Sequence, residues 1–65
     1  MKEYSNIISE RSREYTEEEV KQGMLEWKLQ KVHEFWTDGG YEKIDSGIDR
    51  DKRQVWWEYG KPLAK

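Results

Sequence analysis

A chain of 65 residues with no cysteine has room for one domain, which buries only about 60% of the surface its unfolded form exposes. Neither disulfides nor thiolate-held metal can brace it. Charged residues make up 40% of the chain, but 12 Lys and Arg nearly balance 14 Asp and Glu, so no strong field draws it to nucleic acid or an anionic membrane.

No apolar run reaches signal-peptide length or the roughly 20 residues that span a bilayer. The expectation is a single soluble, cytoplasmic domain over residues 1–65. Aromatic content is unusual: four Trp, four Tyr and one Phe. Each such ring buries about 150 to 250 Å², enough to build a core in a chain poor in leucine. Trp and Tyr are also the residues that anchor binding surfaces, so some rings are candidates for contact with a partner.

Residues 1–15 are polar, with apolar side chains at Tyr4, Ile7, Ile8 and Tyr15. The spacing fits a short helix capped by Ser5, an edge strand or an extended arm, and periodicity does not separate the three. A clear start signal follows. Thr16-Glu17-Glu18-Glu19 has the form of a capping box, and three carboxylates in the first turn suit the positive end of a helix dipole.

The predicted helix runs from about Thr16 to Thr37, closed by Asp38-Gly39-Gly40 as a left-handed cap, with Gly23 an interior residue costing about 1 kcal/mol relative to Ala. Leu25, Leu29, Val32 and Trp36 form one apolar stripe on it; Val20, Met24, Trp27 and Phe35 form a second; Glu19, Gln22, Glu26, Gln30 and His33 form a polar face. An apolar arc of roughly 200° is wider than one contact surface needs.

After Gly40, two β-prone stretches flank the polar run Arg50-Asp51-Lys52-Arg53 and predict an antiparallel hairpin over about 41–59. Pairing Ile48 with Val55, Ser46 with Trp57 and Ile44 with Tyr59 places the large apolar side chains on one face and turns Trp56 to the other. Asp51-Lys52 lacks the glycine of a two-residue turn, so a four-residue loop is an equal alternative. Gly47 is a candidate bulge, Gly60-Lys61-Pro62 ends the strand, and Leu63-Ala64-Lys65 reads as a loose tail. The expected fold is therefore α+β, one long central helix packed on a C-terminal hairpin, with the N-terminal element undecided.

Sites for chemistry are few. Asp45, Asp49 and Asp51 with Gly47 suggest a calcium loop, but counting from Asp45 puts Arg50 at the turn glycine and Trp56 at the bidentate Glu. These are read as turn residues. The one histidine, His33, has no second histidine or cysteine for zinc, and is expected to be a solvated residue of the polar face. Ser5, Ser9, Ser12 and Ser46 lack an activating His-carboxylate arrangement, and Gly39-Gly40 follows a helix where a phosphate loop would precede one. No enzymatic activity and no cofactor are expected.

What remains is binding. With the first stripe packed on the hairpin, Val20, Met24, Trp27 and Phe35 are left for residues 4–15, a second copy of the chain or another protein, and Trp56 is a separate candidate contact. The expectation is a small protein-binding regulator, an inhibitor or adaptor acting on a larger protein, with homodimerisation possible in so short a chain. The alternative is a DNA-binding regulator with Arg50, Lys52 and Arg53 at the tip of a wing. The interrupting Asp49 and Asp51 and the absence of a basic excess weigh against it.

Overall fold

The computed structural model describes residues 3–63. In chain order it contains β1 (Tyr4–Arg11), α1 (Glu17–Lys21), α2 (Met24–Asp38), β2 (Glu42–Asp49) and β3 (Gln54–Pro62). The chain is α+β, as its patterning predicts. Two finer expectations are corrected: the single long helix is two helices, and the hairpin is part of a three-stranded antiparallel sheet in the order β1-β3-β2.

Gly23 divides the helix. It adopts φ 71° and ψ 22°, the left-handed region that glycine enters without strain. Its N–H donates to the Val20 carbonyl at 3.1 Å and so closes α1, while Trp27 N–H returns to the Gly23 carbonyl at 3.5 Å to begin α2. The capping box at Thr16 is present, each of Thr16 and Glu19 binding the other's backbone N–H. The bend also brings Glu19 to within 2.6 Å of the Lys28 ammonium. In a straight helix, nine residues turn through about 900°, placing these side chains on opposite faces.

Gly23→Ala is therefore expected to lower stability by about 1–2 kcal/mol, the left-handed penalty of an L-residue. No atom lies within 4 Å of the added methyl, so the cost is backbone alone. Urea denaturation reads the sign, which a continuous helix would reverse, because Ala is the better helix former by about 1 kcal/mol.

The other end of α2 follows expectation, with Gly40 the left-handed residue of the cap at φ 86°. Gly40 N–H donates to the Thr37 carbonyl and Tyr41 N–H to the Trp36 carbonyl, both at 3.0 Å. This is the paired bond pattern of a Schellman cap.

The undecided N-terminal segment is a strand. β1 pairs with β3 from Tyr4 opposite Pro62 to Arg11 opposite Trp56, with a bulge at Ser5. This pairing carries β3 past Gly60, where the sequence predicts its end. Ala64 and Lys65, the rest of the expected tail, lie outside the described residues.

In the hairpin, Ile48 faces Val55 and Ser46 faces Trp57, the expected register, but Tyr59 faces Lys43 and the irregularity falls at Ile44 instead of Gly47. Ile44 is thereby rotated away from the helix face. The loop has four residues, Arg50 to Arg53. Asp49 Oδ1 accepts the N–H groups of Asp51 and Lys52, each at 3.1 Å, and Arg53 takes the left-handed position at φ 57°. An aspartate side chain thus organises a turn that lacks glycine.

α2 packs on β2 and β3 but not on β1, and α1 packs on α2 without approaching a strand. Only Tyr15, Leu25, Val55 and Tyr59 are buried hydrophobics among the described residues, with Leu29, Ile48 and Trp57 packed around them. Tyr15 and Ser12 reach this core because Tyr15 N–H donates to Arg53 and Ser12 N–H to Val55, tying the β1–α1 connection to the start of β3. Among the described residues no helix is long and apolar enough to cross a membrane.

Candidate functional site

The expected second stripe is not one surface. Val20 sits on α1 and the other three on α2, separated by the Gly23 bend. Trp27 and Phe35 are 50% and 69% exposed and Val20 is 42% exposed, whereas Met24 is partly buried. Lys31 places its ammonium 5.7 Å from the centre of the Trp27 ring. Phe35 meets Trp36 edge-on at 5.1 Å, and Trp36 in turn lies 4.9 Å from Tyr41 and stacks on Tyr59 at 6.5 Å. Phe35 is thus the exposed end of an aromatic chain rooted in the core.

His33 is exposed, as expected of the polar face, but it also has a partner. Its backbone position is on the exposed side of α2, but Nδ1 lies 2.9 Å from the hydroxyl of buried Tyr59. A buried tyrosine hydroxyl needs a hydrogen-bond partner, and the His33 ring nitrogen supplies one. Burial raises the phenol pKa above its ordinary 10.0. The two residues border an open cleft of about 370 Å³ between α2 and β2, with Glu26, Gln30, Lys43 and Ser46 around it.

At the hairpin tip, Arg50, Lys52 and Arg53 come together on one exposed loop, but Arg53 is held with its guanidinium 5.8 Å from the Tyr15 ring centre. The aspartates do not converge as a cation site. Asp49 caps the turn, Asp45 accepts the Ser46 N–H at 2.8 Å, and among the described residues no three candidate ligands lie close enough to hold a metal ion.

Asp49 also accepts from Arg11 at 3.0 Å across the sheet. Its carboxyl is held below the ordinary 3.8, first by the Lys52 N–H and then by the Arg11 guanidinium. Glu19 is held below 4.5, first by the hydrogen bond from Lys28 and then by the Thr16 N–H. A carboxyl depressed in the folded state contributes stability that is complete above its unfolded pKa and lost as pH falls through the folded value. The melting temperature is accordingly expected to fall below about pH 4, with a shallower fall in Asp49→Asn; thermal melts between pH 7 and pH 2 measure it.

The face of the sheet opposite α2 is foreseen by the sequence only at Trp56. It carries Tyr4, Ile7, Ser9 and Arg11 of β1, Gln54, Trp56, Glu58 and Gly60 of β3, and Glu42, Asp45, Gly47 and Asp49 of β2, as the two registers dictate, with Ile44 turned onto it at the bulge, its Cδ1 3.0 Å from where a Gly60 Cβ would stand. Two aromatic rings lie down on glycines. A Cβ at Gly60 would stand 2.6 Å from Tyr4 Cγ, and one at Gly47 would stand 3.0 Å from the Trp56 indole. Aromatic side chains laid across a strand glycine cover backbone that the glycine leaves bare.

Trp56 points to this face as the alternation predicts, and is partly buried by its contact with Gly47. Ile7 and Ile44 are 57% and 39% exposed beside the rings. Comparison with protein-family models, curated proteins and solved structures finds no match to this chain.

Proposed function

We propose that this chain is a small cytoplasmic protein-binding regulator, an inhibitor or adaptor that docks on a larger protein, performs no catalysis and needs no cofactor. The observation that carries the reading is the helix-free face of the sheet. α2 covers the side that carries Val55, and the other side presents Trp56 and Tyr4 flat on glycines with Ile7 and Ile44 exposed beside them. Rigid aromatic area ringed by charge is the composition of a binding hot spot. Trp27 and Phe35 on α2 form a second contact surface in the same reading.

The DNA-binding alternative is the weaker one, because Asp49 and Asp51 share the tip with Arg50 and Lys52, and Arg53 is drawn onto Tyr15. Capture of a partner from lysate of the native host is expected to weaken about thirtyfold in Trp56→Ala, the roughly 2 kcal/mol of a hot spot, with circular dichroism unchanged. Retention of the partner at full strength would refute the use of this face. Sedimentation of the pure protein tells whether a second copy is the partner, and a salt-sensitive duplex DNA shift would favour the alternative.

A further inference from the structure

We infer that the helix-free face takes an arginine side chain from a basic segment of the partner protein, the guanidinium lying over Trp56 and against the carboxylates of Asp45 and Glu58; this rests on the protein-binding reading above. Asp45 and Glu58 are direct cross-strand partners. Like charges so placed repel each other, with Cβ atoms about 4.5–5.5 Å apart. Among the described residues no lysine or arginine pairs with either. Glu58 is partly buried, so water does not fully screen it.

The same face shows what relieves such a carboxylate. Asp49, four residues along β2 from Asp45 on the same face, holds the Arg11 guanidinium at 3.0 Å. Among the described residues a guanidinium reaches Asp49 and none reaches the Asp45–Glu58 pair. Trp56 is two residues from Glu58 on β3, on the same face and about 7 Å along the strand, within the span of a cation that must lie about 6 Å from a ring centre. Arginine fits these neighbours better than lysine. Its planar group stacks on an indole and still presents donors at its edge to two carboxylates, which an ammonium does not. Phosphate would meet both carboxylates and is disfavoured.

The test titrates isotope-labelled protein with a short peptide of alternating Gly and Arg, and with its Lys counterpart, following the indole N–H signal of Trp56. The Arg peptide is expected to shift that signal saturably and more tightly than the Lys peptide. Asp45→Asn with Glu58→Gln should weaken binding about tenfold. That variant removes a repulsion, so its melting temperature should be equal or higher, and lost binding will not reflect lost folding.

The assignment is overturned by an unmoved Trp56 signal, by unchanged affinity in the double variant, or by equal response to the Lys peptide. It is equally overturned if duplex DNA shifts Trp56 in place of the peptide, or if the Trp56 shift tracks self-association in sedimentation. Should the peptide fail while Trp56→Ala still loses its captured partner, the arginine assignment falls and the protein-binding reading stands.

Discussion

Tyr59→Ala is expected to leave the chain largely unfolded at room temperature. Tyr59 is 1% exposed on the central strand, paired on one side with Ile8 and on the other with Lys43. Its ring stacks on Trp36 and contacts His33. Removing a buried aromatic side chain costs about 3–5 kcal/mol. A chain of 65 residues has a total stability of only about 3–10 kcal/mol at the usual per-residue value. Only four hydrophobics are buried among the described residues, and Tyr59 is one of them. Tyr59→Phe separates the ring from its hydroxyl: it should cost only about 1 kcal/mol, the net value of the bond to His33. Circular dichroism and urea denaturation of the pair give the comparison, and a folded, cooperative Tyr59→Ala would show that the core lies elsewhere.

The packing of α2 on the hairpin was legible because it is periodic. Leu25, Leu29, Val32 and Trp36 recur at helical spacing, Val55, Trp57 and Tyr59 alternate, and the register follows from matching the two. Ile44 broke the pattern because a bulge inserts one residue and reverses the side of everything beyond it, and hydrophobicity alone assigns every isoleucine inward. Gly23 was misread for a related reason. An isolated glycine inside a helical pattern has two meanings, a tolerated cost or a left-handed turn, and the residues on both sides of it are good helix formers.

The helix-free face was legible only at Trp56, whose orientation needs two strands and no more. Tyr4 on Gly60, and the lack of a basic partner for Asp45 and Glu58 among the described residues, depend on β1 lying beside β3. That pairing joins residues more than fifty positions apart at its outer end, beyond the reach of local pattern. Once β1 is placed, Gly60 ceases to be a strand terminator. It becomes the residue that lets Tyr4 lie flat.

Gly60→Ala carries the second large effect. Gly60 is buried and paired on both sides, with Ile7 and Glu42. The new methyl would meet Tyr4 Cγ at 2.6 Å, Tyr4 Cδ1 at 2.7 Å and Ile44 Cδ1 at 3.0 Å. Cγ is the root of the ring, so Tyr4 cannot swing its far end aside; it must change χ1 and abandon the strand, or β1 must shift. Overpacking of this kind costs about 1–3 kcal/mol, near the upper end here because both routes also uncover Ile44. Gly47→Ala should cost less, since its nearest atoms lie along the indole edge of Trp56 at the longer distances of 3.0–3.1 Å.

The cause is tested by a double-mutant cycle. If the clash with Tyr4 is the mechanism, Gly60→Ala should be far milder in a Tyr4→Ala background, and the two changes should be non-additive by about 1 kcal/mol or more. Additive effects would mean that the added methyl disturbs the central strand itself. Because Trp56 rests on Gly47 and is not among the close neighbours of Gly60, a folded Gly60→Ala variant should also keep its partner. That outcome would separate the end of the face that holds β1 in place from the end proposed to bind.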